Sequence, residues 1–150
     1  METIYDVLKE EHDQMANLLQ QSLSDNSKIT FFKIKLKADP HMKGEEKFFY
    51  PLLEEIGELR ELINHAYEEH NEAKKLICEM EDMDERDENW SAKFSELKQS
   101  IVHHIEEEES NVFKRARNVL SQEKEQEIAK QYVEFKRSYM NRIETGESLT

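Results

Sequence analysis

One cysteine (Cys78), two prolines and three glycines in 150 residues leave this chain short of both staples and breakers. A single thiol excludes an intramolecular disulfide and any zinc or iron–sulfur site built on cysteines. So few Pro and Gly leave little to interrupt helices, and a 37% content of Asp, Glu, Lys and Arg gives those helices solvated outer faces. No apolar run reaches the length of a membrane span, and Met1 to Asp13 carries acids without the apolar stretch of a leader peptide. A soluble cytoplasmic protein is therefore expected. Basic residues are the minority, and the formal net charge of −13 makes nucleic acid and anionic membranes unexpected partners, since both reward clustered Lys and Arg. The length suits one domain with a real core.

What the chain does contain is a repeat. His41, three residues, Glu45-Glu46, three residues and Tyr50 is answered by His104, three residues, Glu108-Glu109, three residues and Phe113. A His and a Glu four apart on a helix lie on one face, one turn apart, so both can serve one metal cluster. A second repeat precedes each: Glu10-Glu11-His12 has Leu18-Leu19 six residues on, and Glu68-Glu69-His70 has Leu76-Ile77. The unit is a lone His followed by His-x3-Glu, with 29 residues from His12 to His41 and 34 from His70 to His104. That pattern reads as a duplicated helical hairpin.

In chain order, Tyr5, Leu8, His12, Met15 and Leu19 form one stripe of a first helix, and the polar stretch Ser24 to Ser27 supplies a loop with cap formers. The second segment is expected to pack through Ile29, Phe32 and Leu36, with Pro40 giving a kink or a fresh helix start capped by Asp39. Pro51 and Gly57 mark a connection. A third helix to about Met80 shows Ile63, His70, Ala73 and Ile77 on one face, and a fourth shows Phe94, Leu97, Ile101, His104, Glu108 and Val112. A fifth, from a Ser121 cap to about Arg142, carries Ile128, Tyr132, Phe135 and Tyr139 and can pack on the bundle or on another chain. One domain over 1–144 with a disordered tail from Thr145 is expected.

A lone His on an apolar stripe is ordinarily a satisfied core or rim residue. Four of them with two i+4 carboxylates are different: buried without a cation they strand unpaired polar atoms and two charges, whereas a metal pair satisfies all six. His103 also has an i+4 carboxylate, Glu107, but periodicity with Ile101 and Val112 selects His104. Glu11, Glu46, Glu69 and Glu109 could orient ligands from behind, though solvent-facing roles are expected of each. Phe48, Phe49, Tyr50 and Phe113 are expected in the core, keeping water out. Imidazoles with carboxylates and no thiolate suit iron, and also manganese or zinc. Two divalent ions against two carboxylates leave a net charge of +2, which favours small anions and diatomics.

Lone His12, His41-Met-Lys-Gly-Glu45-Glu46, Tyr50-Pro51, Glu69-His70 and His104-Ile-Glu-Glu-Glu108-Glu109 resemble the hemerythrin-like family, also called HHE cation-binding domains, over residues 4 to about 120. The resemblance implies an all-α fold, an up-down-up-down four-helix bundle, to which the fifth stripe adds a C-terminal helix. It implies a non-haem pair of iron ions bridged by oxide or hydroxide, with manganese or zinc as substitutes. His12, His41, His70 and His104 would be terminal ligands, and Glu45 and Glu108 would bridge. The implied small-molecule partners are O2, NO or peroxide, bound or sensed by a monomer or homodimer.

Two rivals stand beside that reading: a di-iron enzyme of oxidase, peroxidase or iron-centre repair type, and a metal-stabilised regulatory protein presenting Tyr132, Phe135 and Tyr139 to a partner. The departures matter too. Ala66 and Lys74 occupy both positions four away from His70, where oxygen carriers place a fifth His, and His65 is five away, reaching the site only with a local distortion. A Cys-containing N-terminal segment like that of iron-centre repair proteins is not expected, so their full activity is not carried over. Ferritin-type iron oxidation is disfavoured, because none of the six His has a Glu three residues before it.

Overall fold

Thr3 and Asp6 close the first helix reciprocally: the Asp6 amide donates to the Thr3 hydroxyl, and the Thr3 amide donates to the Asp6 carboxylate. From that cap α1 runs Ile4–Gln21 in the computed structural model, which describes residues 1–146. Ser27 caps α2, Lys28–Gly44, by accepting from the Thr30 amide. Helix α2 passes through Pro40 unbroken, so neither a fresh start nor an Asp39 cap occurs. The missing N–H of Pro40 simply leaves the Leu36 carbonyl without its helical donor.

The expected packing face of α2 is also corrected. Ile29, Phe32 and Leu36 are 71%, 45% and 41% exposed, while Phe31, Ile34 and Ala38 are buried. The segment is apolar around much of its circumference, so spacing alone fits either stripe. Counting back from His41 in steps of three and four gives 38, 34 and 31, the stripe that packs.

After Gly44 the helix widens into a π-helical turn, Glu45–Phe49, and resumes as α3, Tyr50–Glu54. Pro51 falls inside α3, and the connection comes later, where Ile56 turns extended before a short 3-10 turn, Gly57–Leu59. Helix α4 spans Arg60–Glu81 and α5 Trp90–Glu107. A second π-helical turn, Glu108–Val112, leads into α6, Phe113–Val119. Ser121 caps α7, Gln122–Thr145, which ends on Gly146 in the left-handed conformation. Thr145 thus belongs to the last helix, and residues 147–150 of the expected tail lie outside the described residues.

The direction of each rod follows from which apolar cluster its ends join. One cluster holds Leu8 of α1, Phe49 and Leu53 of the second rod, Ile63 of α4 and Phe113 of the fourth. The other holds Met15 and Leu19, Phe31 and Ile34, Ala73 and Ile77, and Trp90 and Phe94. Each successive rod therefore runs opposite to its predecessor, the up-down-up-down arrangement, and every one passes the His and Glu positions between the clusters. Trp90, the first residue of α5, ties that helix to the loop before α2 by donating from its indole to the Asn26 carbonyl at 2.7 Å. Among the described residues no helix is long and apolar enough to cross a membrane.

Helix α7 lies against α1 and α2 of its own chain. Ile128, Tyr132 and Tyr139 are buried there, so the helix packs on the bundle, while Phe135 stays partly exposed. Gly44 makes the approach feasible: a Cβ at this position would stand 2.4 and 2.6 Å from carbons of the Tyr132 ring. In an exposed helix Gly→Ala gains about 1 kcal/mol of propensity, but overpacking a fixed aromatic ring costs about 1–3 kcal/mol. Gly44→Ala is expected to lower the denaturant midpoint of unfolding. A raised midpoint would show that the Tyr132 contact is slack.

Candidate metal centre

Between the two apolar clusters lies a layer of His and Glu. His12 of α1, His70 of α4 and His104 of α5 are buried, as are Glu45 and Glu108, and His41 of α2 is nearly so. Glu45 and Glu108 each open one of the π-helical turns, a distortion that recurs at functional sites. All four imidazoles direct Nε2 inward. His12 Nε2 is 3.2 Å from one oxygen of Glu108 and His104 Nε2 is 3.4 Å from the other. His41 and His70 lie 3.2 and 3.1 Å from the same oxygen of Glu45. Two groups of donors result, Glu45 with His70, His104 and Glu108, and His12 with His41 and Glu108. Glu108 is common to both.

The outer nitrogens make shorter contacts. His12 Nδ1 is 2.7 Å from Glu109, His41 Nδ1 2.8 Å from Glu11, His70 Nδ1 2.6 Å from Glu46 and His104 Nδ1 2.9 Å from Glu69. The solvent-facing roles expected of these four glutamates are thus corrected. Each fixes the ring of a His on another rod, the arrangement that orients metal-binding imidazoles. The reason is geometric: the second Glu of each Glu-Glu pair stands about 100° from the first on the helix, so it points towards the neighbouring rod. Lysines hold three of the four from outside, Lys136 on Glu11 at 2.5 Å, Lys74 on Glu46 at 2.9 Å and Lys9 on Glu109 at 3.6 Å.

Two tyrosines complete the site. The Tyr50 hydroxyl donates to Glu108 and lies 3.3 Å from Nε2 of both His70 and His104. Tyr50 is in the core, as expected, and its hydroxyl also reaches the ligand layer. The wider π turn swings it from the flank of the helix onto the face of Glu45, a change that no α-helical count contains. Tyr132 of α7 donates to Glu11, so the fifth helix steadies His41 through that carboxylate. His65 and His103, by contrast, are 51% and 67% exposed and stay out of the layer.

Burial opposes the protonation of His41, His70 and His104, but the carboxylates of Glu45 and Glu108 and the outer glutamates outweigh it and raise all three, His104 to about 10. Burial likewise opposes ionisation of Glu11, yet His41, Lys136 and Tyr132 hold it down at about 2. Tyr50 keeps its proton well above the ordinary tyrosine range, through burial first and then the charges of Glu108 and Glu45.

Several buried atoms of this layer have no hydrogen-bond partner: His12 Nε2, both oxygens of Glu45 and one oxygen of Glu108. Stranding polar atoms in this way is costly, and a cation among them removes the cost. On the side of the second apolar cluster the imidazoles border a cavity of about 50 Å³ lined by Met15, Ala38, Met42, Ala73, Ile101 and Ile105. That is room for a ligand of roughly one or two water volumes.

A helical bundle with a buried layer of imidazole and carboxylate donors defines a cation-binding protein. The model of the hemerythrin HHE cation-binding domain matches residues 3–116, and the chain belongs to that family. A DNA nickase from Nostoc sp. (strain PCC 7120) is 28% identical over an alignment covering 93% of this chain. The chain spans 41% of that relative's length. A hemerythrin HHE cation-binding domain-containing protein from Mycobacterium kansasii shares the fold, with a TM-score of 0.77 at 20% identity over 97% of this chain and 94% of that one.

The shifted groups predict how metal-stripped protein responds to pH. A raised imidazole stabilises fully below its ordinary 6.5 and loses that contribution as pH climbs through its folded value. The lowered carboxylates Glu11, Glu46, Glu69 and Glu108 contribute fully above 4.5 and lose it as pH falls. Chelator-treated protein should therefore be most stable between 4.5 and 6.5 and weaken continuously towards pH 10. Denaturant titrations at stepped pH measure this, and a flat profile from neutral to pH 10 contradicts it.

Proposed function

We propose that the domain holds a carboxylate-bridged pair of non-haem iron ions and binds or senses O2, NO or peroxide there. One observation carries the reading: six donors from four rods point inward, with orphaned polar atoms among them, beside an apolar cavity sized for a ligand of a few atoms. His12, His41, His70 and His104 would hold the ions, with Glu45 and Glu108 between them. An imidazole and carboxylate set without thiolate fits iron, with manganese or zinc as substitutes; Cys78 is exposed. Such a pair supplies redox chemistry towards small oxidants. The chain's own part is to fix the four rings through the outer glutamates, to keep bulk water out with Phe49 and Phe113, and to offer the Tyr50 proton at its hydroxyl oxygen.

The Tyr50 phenol also favours a second reading, turnover rather than carriage, because its hydroxyl donates to the inward Glu108 carboxylate inside the layer, a placement suited to acid–base work. The role in the name of the Nostoc relative is not carried over, since a net charge of −13 opposes binding of a polyanion. Of the three aromatics the regulatory reading would present to a partner, Tyr132 and Tyr139 are buried and Phe135 is partly exposed, which weakens that reading.

Metal analysis of protein purified without oxygen is expected to find two irons per chain. His104→Ala should bring iron well below two, whereas His103→Ala should retain both; equal losses would put the wrong imidazole in the centre. Glu11→Ala, which removes the support of His41, is expected to weaken metal binding roughly 10–100-fold, read by competition with a chelator. Stopped-flow mixing of the reduced, iron-loaded protein with oxygen separates the two readings. A reversible absorption band supports binding, and rapid conversion to a ferric end state with consumption of reductant supports turnover.

A further inference from the structure

Of the four glutamates that support the imidazoles, Glu69 alone lacks a lysine. Among the described residues no Lys or Arg lies within ion-pair distance of it, and two imidazoles stand where the cation would be. His103 Nε2 of α5 is 3.2 Å from Glu69 Oε2, and His65 Nε2, one turn before Glu69 on α4, is 3.5 Å from the same oxygen. The other carboxylate oxygen, Oε1, faces His104 Nδ1. We propose that His65, Glu69 and His103 form a second, mononuclear site on the surface for a divalent transition ion of the zinc class, standing where lysine stands at the other three glutamates.

Three features argue for an ion rather than an ordinary pair of surface salt bridges. Glu69 Oε2 is buried and has no hydrogen-bond partner, although two ring nitrogens surround it. The separations of 3.2 and 3.5 Å lie at or just below the edges of a tetrahedron around an ion with ligands at about 2.0–2.2 Å, which are roughly 3.3–3.6 Å. Both imidazoles present Nε2 to Glu69 Oε2, the same ring nitrogen that the inner layer turns towards its carboxylates. Two imidazoles and one carboxylate select borderline metals over calcium or magnesium, and water completes the coordination at a position this open. One carboxylate then serves two sites, holding His104 with one oxygen and the surface ion with the other.

The site stands whether or not the inner layer holds iron, so the test counts zinc by difference. Protein carrying its resident metal is dialysed against Zn2+, and bound zinc is measured alongside His65→Ala and His103→Ala, whose side chains are exposed and whose loss leaves the core intact. Wild type is expected to bind one more zinc than either variant, with zinc affinity at that site falling roughly ten-fold or more in each. His12→Ala, on the far side of the layer, should keep the extra zinc while losing inner metal. Equal zinc content and affinity in wild type and both surface variants would overturn the proposal. If instead the protein carries no iron, yet the zinc difference persists, the surface site stands and the iron reading fails.

Discussion

The structure depends on how a layer of charge is tolerated between two apolar cores. Four imidazoles and two carboxylates cross the waist of the bundle, where an unpaired polar group is expensive. The inward nitrogens and oxygens are left for a cation, and the outward nitrogens are closed by a ring of glutamates. Glu11 of the first rod holds His41 of the second, Glu46 of the second holds His70 of the third, Glu69 of the third holds His104 of the fourth, and Glu109 of the fourth returns to His12 of the first. No rod can be displaced without loosening two of these bonds. Fold and site are therefore one interaction, and the duplicated hairpin is its natural source, since each half supplies the same set of groups.

The two π-helical turns are the second constraint. Each opens at an inward carboxylate, Glu45 or Glu108, and each is followed by a buried aromatic, Tyr50 or Phe113. The repeat is not symmetric in chemistry. Tyr50 brings a hydroxyl to the Glu108 carboxylate, while Phe113 brings only a ring, stacked near His12. One side of the layer thereby gains a proton donor that the other lacks. The fifth helix adds a further asymmetry, since Tyr132 and Lys136 buttress Glu11 and, among the described residues, no added helix serves the other half.

Much of this was legible in the residues. Two His-x3-Glu motifs, each preceded by a lone His, lead to a four-rod bundle with an inward polar layer, because helical periodicity places an i,i+4 pair on one face whatever lies around it. His104 rather than His103 follows the same way. The α2 stripe was less legible, since Ile29, Phe32 and Leu36 satisfy the spacing as well as Phe31, Ile34 and Ala38 do, and only the partner rods distinguish them. Pro40 and Pro51 read as interruptions, yet the backbone stays helical at both, Pro51 falling in the first turn of α3 where a missing N–H is tolerated.

The sequence by itself determined the periodic features: helices, their number, and which imidazoles and carboxylates share a face, all of which depend on residues within two turns of one another. Tertiary structure decided everything that depends on residues far apart. It chose which glutamate supports which histidine, it turned Tyr50 inward through a local change of helical pitch, and it seated α7 on the bundle by way of Gly44 and Tyr132. The physical reason is that a carboxylate at a helix flank has the same intrinsic character whether it meets water, a lysine or an imidazole. Only the packing of a second helix against it fixes the partner.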